Sequence, residues 1–330
     1  MKKLTRSETA QILLAHDNYT IITHRRPDGD TIGSSAVLCM GLRQLGKTAH
    51  ILENPEITPK YVHLHQGLTK PQAEEGDFVV TVDVASPNML PDSCKTMAFD
   101  LRIDHHGSAT SFTPVELVDP GAAACGEIVY GVLAEMGAEL DIPMANALYT
   151  AVSTDTGCFR YANTTADTFS VAAACAKAGA EVFNINQALF ETNSLARLKV
   201  QSYLLENAHF LQDGKIAVCP LPKAVEIACG ANEDDLDNIS GFPRTIEGVQ
   251  LAVTIREEGT NRVKMSVRAV PGQDASALCA KFGGGGHKGA AGASMSMPLN
   301  EAVEAVIAVI PVILNVLLKI DSGQCVCQLR

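Results

Sequence analysis

Four apolar runs in the first half of the chain each end on an acidic or histidine side chain. Tyr19–Thr23 leads to His24, Phe78–Val82 to Asp83, Met97–Ile103 to Asp104, His105 and His106, and Ala147–Thr154 to Asp155. The first three read as parallel strands buried on both faces, whereas the fourth suits the end of a helix equally well. Between the first two runs, Ile32, Ala36, Val37, Met40 and Leu45 recur at helical spacing across Thr31–Leu45, directly after an Asp28-Gly29-Asp30 turn. Strands alternating with helices are the signature of an α/β domain. Ligands in open parallel sheets bind beyond the carboxyl ends of the strands, so the polar run-ends should converge on one rim.

The second half has a different rhythm. Leu195–Leu211 mixes polar and apolar positions as a long helix would, and is the candidate connector. Lys215–Pro220 and Val249–Ile255 then read as strands, Arg262–Val270 alternates like another, and a glycine-rich turn begins at Gly283. The pattern predicts a parallel-sheet domain with helices on both faces over 1–190, a helical linker over 191–214, and a smaller α/β domain over 215–330.

With 330 residues, 46% hydrophobic and 19% charged, the chain has apolar material for more than one core and is neither disordered nor fibrous. Its net charge of −11 argues against a protein that coats long DNA, because that binding needs excess Lys and Arg. An acidic chain still takes a phosphate ligand where metal ions or a local basic patch supply positive charge. The ten cysteines include no C-x-x-C pair, the nearest being Cys325 and Cys327. Cys39, Cys125, Cys175 and Cys279 sit singly in apolar stretches, as reduced core thiols do. Met1–Thr9 has no apolar core of a signal peptide. The apolar stretch Ala305–Leu318 carries Pro311 and Asn315 and is too short to span a bilayer, and Glu301–Leu318, broken by Pro311, suits a packed helix or a subunit contact, as in a homodimer. The expectation is a soluble cytoplasmic protein.

The run-ends collect five carboxylates and three imidazoles: Asp28, Asp30, Asp83, Asp104, Asp155, His24, His105 and His106. Any one alone is an ordinary cap or turn residue. Gathered together, the carboxylates could not all ionise without cations. Oxygen and imidazole donors without thiolate suit Mn²⁺, and less well Mg²⁺. So many donors exceed the needs of one ion and suggest two that share a carboxylate, a site fitted to in-line displacement at phosphorus. The helix opening at Thr31 adds N–H groups that favour phosphate.

The string Thr23-His24-Arg25-Arg26-Pro27-Asp28-Gly29-Asp30-Thr31-Ile32-Gly33-Ser34 resembles the first motif of the DHH phosphoesterases. Val82-Asp83 resembles the second, Asp104-His105-His106 the one that names the family, and Thr154-Asp155-Thr156-Gly157 the fourth. Arg268, together with Gly283-Gly284-Gly285-Gly286-His287-Lys288-Gly289-Ala290-Ala291-Gly292, is similar to the DHHA1 substrate-binding domain. Phe159-Arg160-Tyr161-Ala162-Asn163-Thr164 is most similar to the NrnA-type subgroup, oligoribonucleases that also act as phosphatases of 3′-phosphoadenosine 5′-phosphate (pAp). The resemblance implies that His24, Asp28 and Asp83 hold one ion, and that Asp30, Asp83, His105 and Asp155 hold the other. It implies that Asp104 orients a histidine and that His106 faces the scissile phosphate. Arg25-Arg26 and Val84-Ala85 vary around the motifs without replacing an expected ligand.

Glycines let backbone N–H groups approach an anion closely, and His287 and Lys288 add donors beside Gly285 and Gly286. From Arg262 to Lys288 there are five Lys or Arg against one Asp, a local +4 in an acidic chain. The guanidinium of Arg268 suits a phosphate or a base edge, and Arg160 is placed to reach a substrate phosphate. The expected activity is hydrolysis of short RNA (nanoRNA) and of the 3′-phosphate of pAp by hydroxide generated between two manganese ions. Cyclic- or linear-dinucleotide phosphodiesterase activity shares the same chemistry. The DHHA1-like ending argues against a family II inorganic pyrophosphatase, and the complete ligand set against a catalytically dead nucleotide-binding regulator.

Overall fold

The computed structural model of the chain describes residues 2–107 and 110–310. These divide into two units, the break falling between Thr192 and Asn193.

The first unit is built on strands β1 (Lys2–Lys3), β2 (Tyr19–Ile22), β3 (Ala49–Leu52), β4 (Thr69–Lys70), β5 (Phe78–Val82), β6 (Leu101–Asp104) and β7 (Val115–Val118). Every neighbouring pair is parallel, in the order β1-β7-β6-β5-β2-β3-β4. Helices α1 (Arg6–Ala15), α2 (Gly29–Gln44), α3 (Cys125–Glu135), α4 (Ile142–Asp155), α5 (Ala166–Lys177) and α6 (Val182–Asn186) complete it. Tyr19, Ile21, Val80, Val82, Leu101 and Ile103 face one way, at the period of two that a strand imposes, and pack with Leu38, Leu42, Ile128, Val132 and Leu148 of α2–α4. Burying each such side chain contributes roughly 1.5–3 kcal/mol. The other face carries a smaller cluster of Ile22, Val79, Val84, Leu90 and Cys94, covered by 3₁₀ turns at Pro87–Met89 and Asp92–Cys94. Turns and loops thus cover the face where the sequence suggests a second helix layer.

Two of the apolar runs end up differently from a simple strand. Only Leu101–Ile103 of the Met97–Ile103 run pairs in the sheet, with Asp104 closing the strand, because Met97 and Phe99 pack into that second-face cluster instead. Ala147–Thr154 is the last part of α4, whose start was signalled upstream: Asp141 accepts from the Met144 N–H at 2.9 Å, and Pro143 occupies the first turn.

The strand order decides where the polar run-ends meet. From β2 the chain moves outward to β3 and β4, then returns to place β5 on the other side of β2 and continues away through β6 and β7. Between β2 and β5 the direction of winding reverses. At such a switch point the connections leave to opposite sides and open a crevice at the strand carboxyl ends. His24 and Asp28 follow β2, Asp83 follows β5, and Asp104 to His106 end the adjacent β6.

In the second unit, β8 (His209–Leu211), β9 (Ile216–Leu221), β10 (Leu251–Gly259), β11 (Arg262–Ala269), β12 (Gly285–Gly286) and β13 (Ala290–Met295) form a sheet in the order β12-β13-β11-β10-β9-β8. Only β9–β10 is parallel. Helices α7 (Leu195–Glu206), α8 (Lys223–Cys229), α9 (Glu233–Leu236), α10 (Ala275–Ala280) and α11 (299–310) flank it. One face packs Val253, Ile255 and Met265 against α10 and α11, and the other packs Ala217, Cys219 and Ala252 against Val200 and Leu204 of α7. The long helix expected over Leu195–Leu211 therefore stops at Glu206, its last residues becoming β8, and its buried side chains belong to this second core. Among the described residues no helix is long and apolar enough to cross a membrane. Pro311, Asn315, the rest of the Ala305–Leu318 stretch after residue 310, and the Cys325–Cys327 pair lie outside the described residues. The described cysteines are free thiols.

Candidate metal centre

Asp28 is the N-cap of α2, its Oδ1 accepting from the N–H groups of Asp30 and Thr31 at 3.1 Å each. That cap turns the chain so that Asp30, two residues on, faces inward and is buried. Asp30 then accepts from the N–H groups of Cys125 (2.7 Å) and Gly126 (3.0 Å) and from the Ser34 hydroxyl (2.8 Å). One aspartate thus sits in the cluster and caps α3, whose own N-cap residue, Ala124, has no side chain able to do so. Asp83, in a left-handed conformation at the end of β5 (φ +59°), accepts from the Thr31 hydroxyl at 2.6 Å.

The histidines are locked by backbone carbonyls. His24 Nδ1 lies 2.7 Å from the Arg25 carbonyl oxygen, and His105 Nδ1 3.3 Å from that of Ala122. A carbonyl only accepts, so Nδ1 carries the proton and a neutral ring presents a bare Nε2. His24 Nε2 is 3.8 Å from Asp83 Oδ2. His105 Nε2 is 3.5 Å from Asp83 Oδ1, 3.7 Å from Asp155 Oδ2 and 3.8 Å from Asp30 Oδ2. These separations are too long for hydrogen bonds. Asp104 Oδ1 accepts from His106 Nδ1 at 2.8 Å and from the backbone N–H groups of His105 and His106.

The electrostatics are unfavourable for the carboxylates as they stand. Burial, followed by the charge of Asp30 and then Asp28, raises Asp83 well above the ordinary aspartate range. Burial foremost also raises Asp30, and lifts Asp155 to about 7. The charges acting most strongly on the three are other aspartates and the histidines. His106 is raised as well, chiefly by its hydrogen bond to Asp104, which for an imidazole favours the charged form. Asp83 Oδ1 and Asp104 Oδ2 are buried with no hydrogen-bond partner, a costly state for a carboxylate oxygen.

Three overlapping groups could each hold a metal ion: His24, Asp28 and Asp83; Asp30, His105 and Asp155; and Asp83, His105 and His106. Donor atoms within each group lie within 4.8 Å of one another. The donor set fits a hard divalent cation. The orphaned Asp83 Oδ1 lies beside His105 Nε2, and among the described residues no cysteine joins the three groups.

All eight run-end residues are thus brought together. Arg160 lies five residues beyond Asp155, exposed, with its Nε donating to the Gly157 carbonyl at 2.5 Å. In the second unit, Arg268 on β11 is paired in register with Ala290 of β13, and Gly285 and Gly286 with Gly292 and Ala291. The glycine-rich segment is therefore the edge of a sheet. A Cβ at Gly284 would stand 2.2 Å from the Gly292 carbonyl oxygen, so strand packing demands that glycine whatever binds nearby. His287 and Lys288 are exposed at its turn. Sequence reasoning missed Thr31 and Ser34 as partners of Asp83 and Asp30, and Asn163, whose Nδ2 donates to the carbonyls of Ala123 (3.0 Å) and Asp155 (3.2 Å). Thr31 and Ser34 stand at i+1 and i+4 from Asp30, a spacing that places Ser34 over Asp30 on the helix.

Residues 18–152 match the family model described as DHH family, N-terminal domain, and residues 214–311 match the DHHA1 domain. The chain is 34% identical over 293 residues to the bifunctional oligoribonuclease and PAP phosphatase NrnA of Thermus thermophilus, covering 87% of each chain. It is 25% identical to the protein of the same name from Bacillus subtilis, over 88% of this chain and 93% of that one. Among solved structures, an exopolyphosphatase-related protein from Bacteroides fragilis superposes with a TM-score of 0.80 at 24% identity, covering 93% of this chain and 97% of that one, and so shares the fold.

Proposed function

The chain belongs to the DHH family and carries a DHHA1 domain, and from that premise we propose that it hydrolyses short oligoribonucleotides and the 3′-phosphate of pAp with two Mn²⁺ ions at the cluster. The observation that carries this reading is the convergence of the buried Asp30 and Asp83 and the half-buried Asp155 with the Nε2 atoms of His24 and His105, in groups whose donor atoms lie within 4.8 Å of one another.

His24, Asp28 and Asp83 would hold one ion, and Asp30, His105 and Asp155 the other, with Asp83 shared. Bound there, two divalent ions supply Lewis acidity at the phosphoryl oxygens and a hydroxide at neutral pH. The chain's own groups do the remaining work. Thr31 and Ser34 fix the rotamers of Asp83 and Asp30, and the Arg25 and Ala122 carbonyls hold His24 and His105 with Nε2 inward. Asp104 keeps His106 oriented and favours its protonated form, placing positive charge where the phosphoryl oxygens become more negative. Arg160 offers a further cation to the substrate. Arg268, with Gly285, Gly286, His287 and Lys288, would bind a phosphate or base.

The test is a Mn²⁺ assay with end-labelled short RNAs, pAp, pyrophosphate and cyclic dinucleotides side by side. Turnover of short RNA and pAp is expected; hydrolysis of pyrophosphate alone, or of no compound, would overturn the assignment.

A further inference from the structure

Immediately after Asp155 the backbone does something costly. Gly157, Cys158 and Phe159 lie in the left-handed region in succession, at φ +56°, +59° and +61°. For the two non-glycine residues this conformation costs roughly 1–2 kcal/mol each, and such strain concentrates at ligand clamps and active sites. The turn is held by several bonds at once. Cys158 N–H donates to the Ser153 carbonyl at 2.6 Å, the Arg160 and Tyr161 N–H groups share the Thr156 carbonyl at 3.0 Å, and Phe159 N–H donates to the Thr156 hydroxyl at 3.1 Å.

The turn seats one aromatic ring in a particular way. A Cβ built on Gly157 would stand 2.3–2.6 Å from Cζ, Cε1 and Cε2 of Tyr161. The two Cε atoms are nearly equidistant and the phenolic oxygen is not among the nearest atoms, so the ring lies face-on over the glycine. The residue is 39% exposed. A ring laid face-on over bare backbone and partly exposed makes a platform. The exposed guanidinium of Arg160 is adjacent in sequence, and Asn163 ties the same loop to the Asp155 carbonyl.

We propose that Tyr161 is the stacking platform for the nucleobase of the nucleotide whose phosphoester lies at the metal centre. The inference rests on the reading that this centre binds a phosphoester, and adds to it the reason for selecting nucleotides over bare phosphates. A π-face accepts any base, so the platform discriminates between base and no base, with little preference among sequences. Loss of one stacked base weakens binding by roughly ten- to a hundredfold.

The experiment uses a dinucleotide carrying 2-aminopurine, whose fluorescence is quenched on stacking; the chain contains no tryptophan to interfere. Full-length protein is titrated without divalent ions, as wild type, Tyr161→Phe and Tyr161→Leu, the last filling the space over Gly157 without a π-face. Quenching by wild type and Tyr161→Phe, with at least tenfold weaker binding and lost quenching in Tyr161→Leu, is expected. In the Mn²⁺ assay, the preference in kcat/KM for a dinucleotide over its abasic counterpart should collapse at least tenfold in Tyr161→Leu and persist in Tyr161→Phe. Equal quenching and equal preference in all three proteins would overturn the proposal. If the wild type quenches the probe but hydrolyses nothing, the enzymatic reading fails while the platform stands.

Discussion

At Asp83 the backbone turns left-handed directly after β5, a conformation that aspartate tolerates better than most residues, and one carboxylate oxygen is left buried without a partner. Replacing Asp83 with Ala should abolish both Mn²⁺ binding, followed calorimetrically, and hydrolysis of short RNA. Replacing it with Asn should also abolish hydrolysis, yet in chelator the variant should melt at a higher temperature than the parent, because a buried charge has been removed and an acceptor for Thr31 kept. Addition of Mn²⁺ should raise the melting temperature of the parent and leave the variant where it was. Much at this scale was legible in the sequence. His24, Asp83 and Asp104–His106 each stop an apolar run, and a polar side chain at the end of a buried strand is exposed to inspection. The roles of Thr31, Ser34 and Asn163 were not, since a hydroxyl or amide in a motif does not say which acceptor it meets. Arg160 was expected to reach a substrate phosphate, and its Nε donates to a carbonyl of its own loop.

Among elements, α3 depends on a residue from α2. Asp30 supplies the cap that Ala124 lacks, accepting from the Cys125 and Gly126 N–H groups. Asp30→Asn and Asp30→Ala both remove the charge, but only Ala removes the acceptor, so in chelator Ala should be the less stable by about 1–2 kcal/mol in urea unfolding. A second link is the buried His65, whose Nε2 reaches the Ile32 carbonyl at 3.1 Å and the Ser35 hydroxyl at 3.0 Å of α2. Burial lowers its pKa from 6.5 to about 4. The unfolded chain therefore takes up a proton near pH 6.5 that the folded chain refuses until about pH 4. Stability present above pH 6.5 is lost as pH falls through that window, by about 3 kcal/mol at its lower end. His65→Gln should flatten this part of the pH–stability curve; an unchanged slope between pH 7 and 4.5 would remove His65 from the account. Periodicity located α2 and three strands, but not their order, because which strand lies beside β2 is settled by pairing between distant segments. It also ran Leu195–Leu211 together, since a helix ending at Glu206 and a strand starting at His209 share one polar-apolar texture.

Across the whole molecule, charge sets how a nucleotide is held. The net charge is −11, so on the proposed reading affinity for an anionic substrate would come from cations and from local groups such as the +4 stretch between Arg262 and Lys288. Arg268→Ala should raise KM for short RNA by roughly ten- to a hundredfold, the worth of a charged hydrogen bond, while leaving the Mn²⁺ concentration for half-activation unchanged. An altered Mn²⁺ requirement would instead tie Arg268 to the metal cluster. A change of rhythm after residue 190 was visible in the sequence. The allotment of α7 to the second core was not, because Val200 and Leu204 give no sign in sequence of which sheet they cover.

The return of the chain from β4 to β5 has a consequence for biosynthesis. Donor residues run from His24 to Asp155, and the strands that precede most of them lie side by side only once β5 has paired with β2 and β6 with β5. A nascent polypeptide emerging from the ribosome can therefore offer no complete chelate until about its first half has been translated. The segment after Thr192 is made later still, and domains generally acquire their structure in the order of synthesis. On the proposed reading, the ions could thus be captured while the segment after Thr192 is still being made.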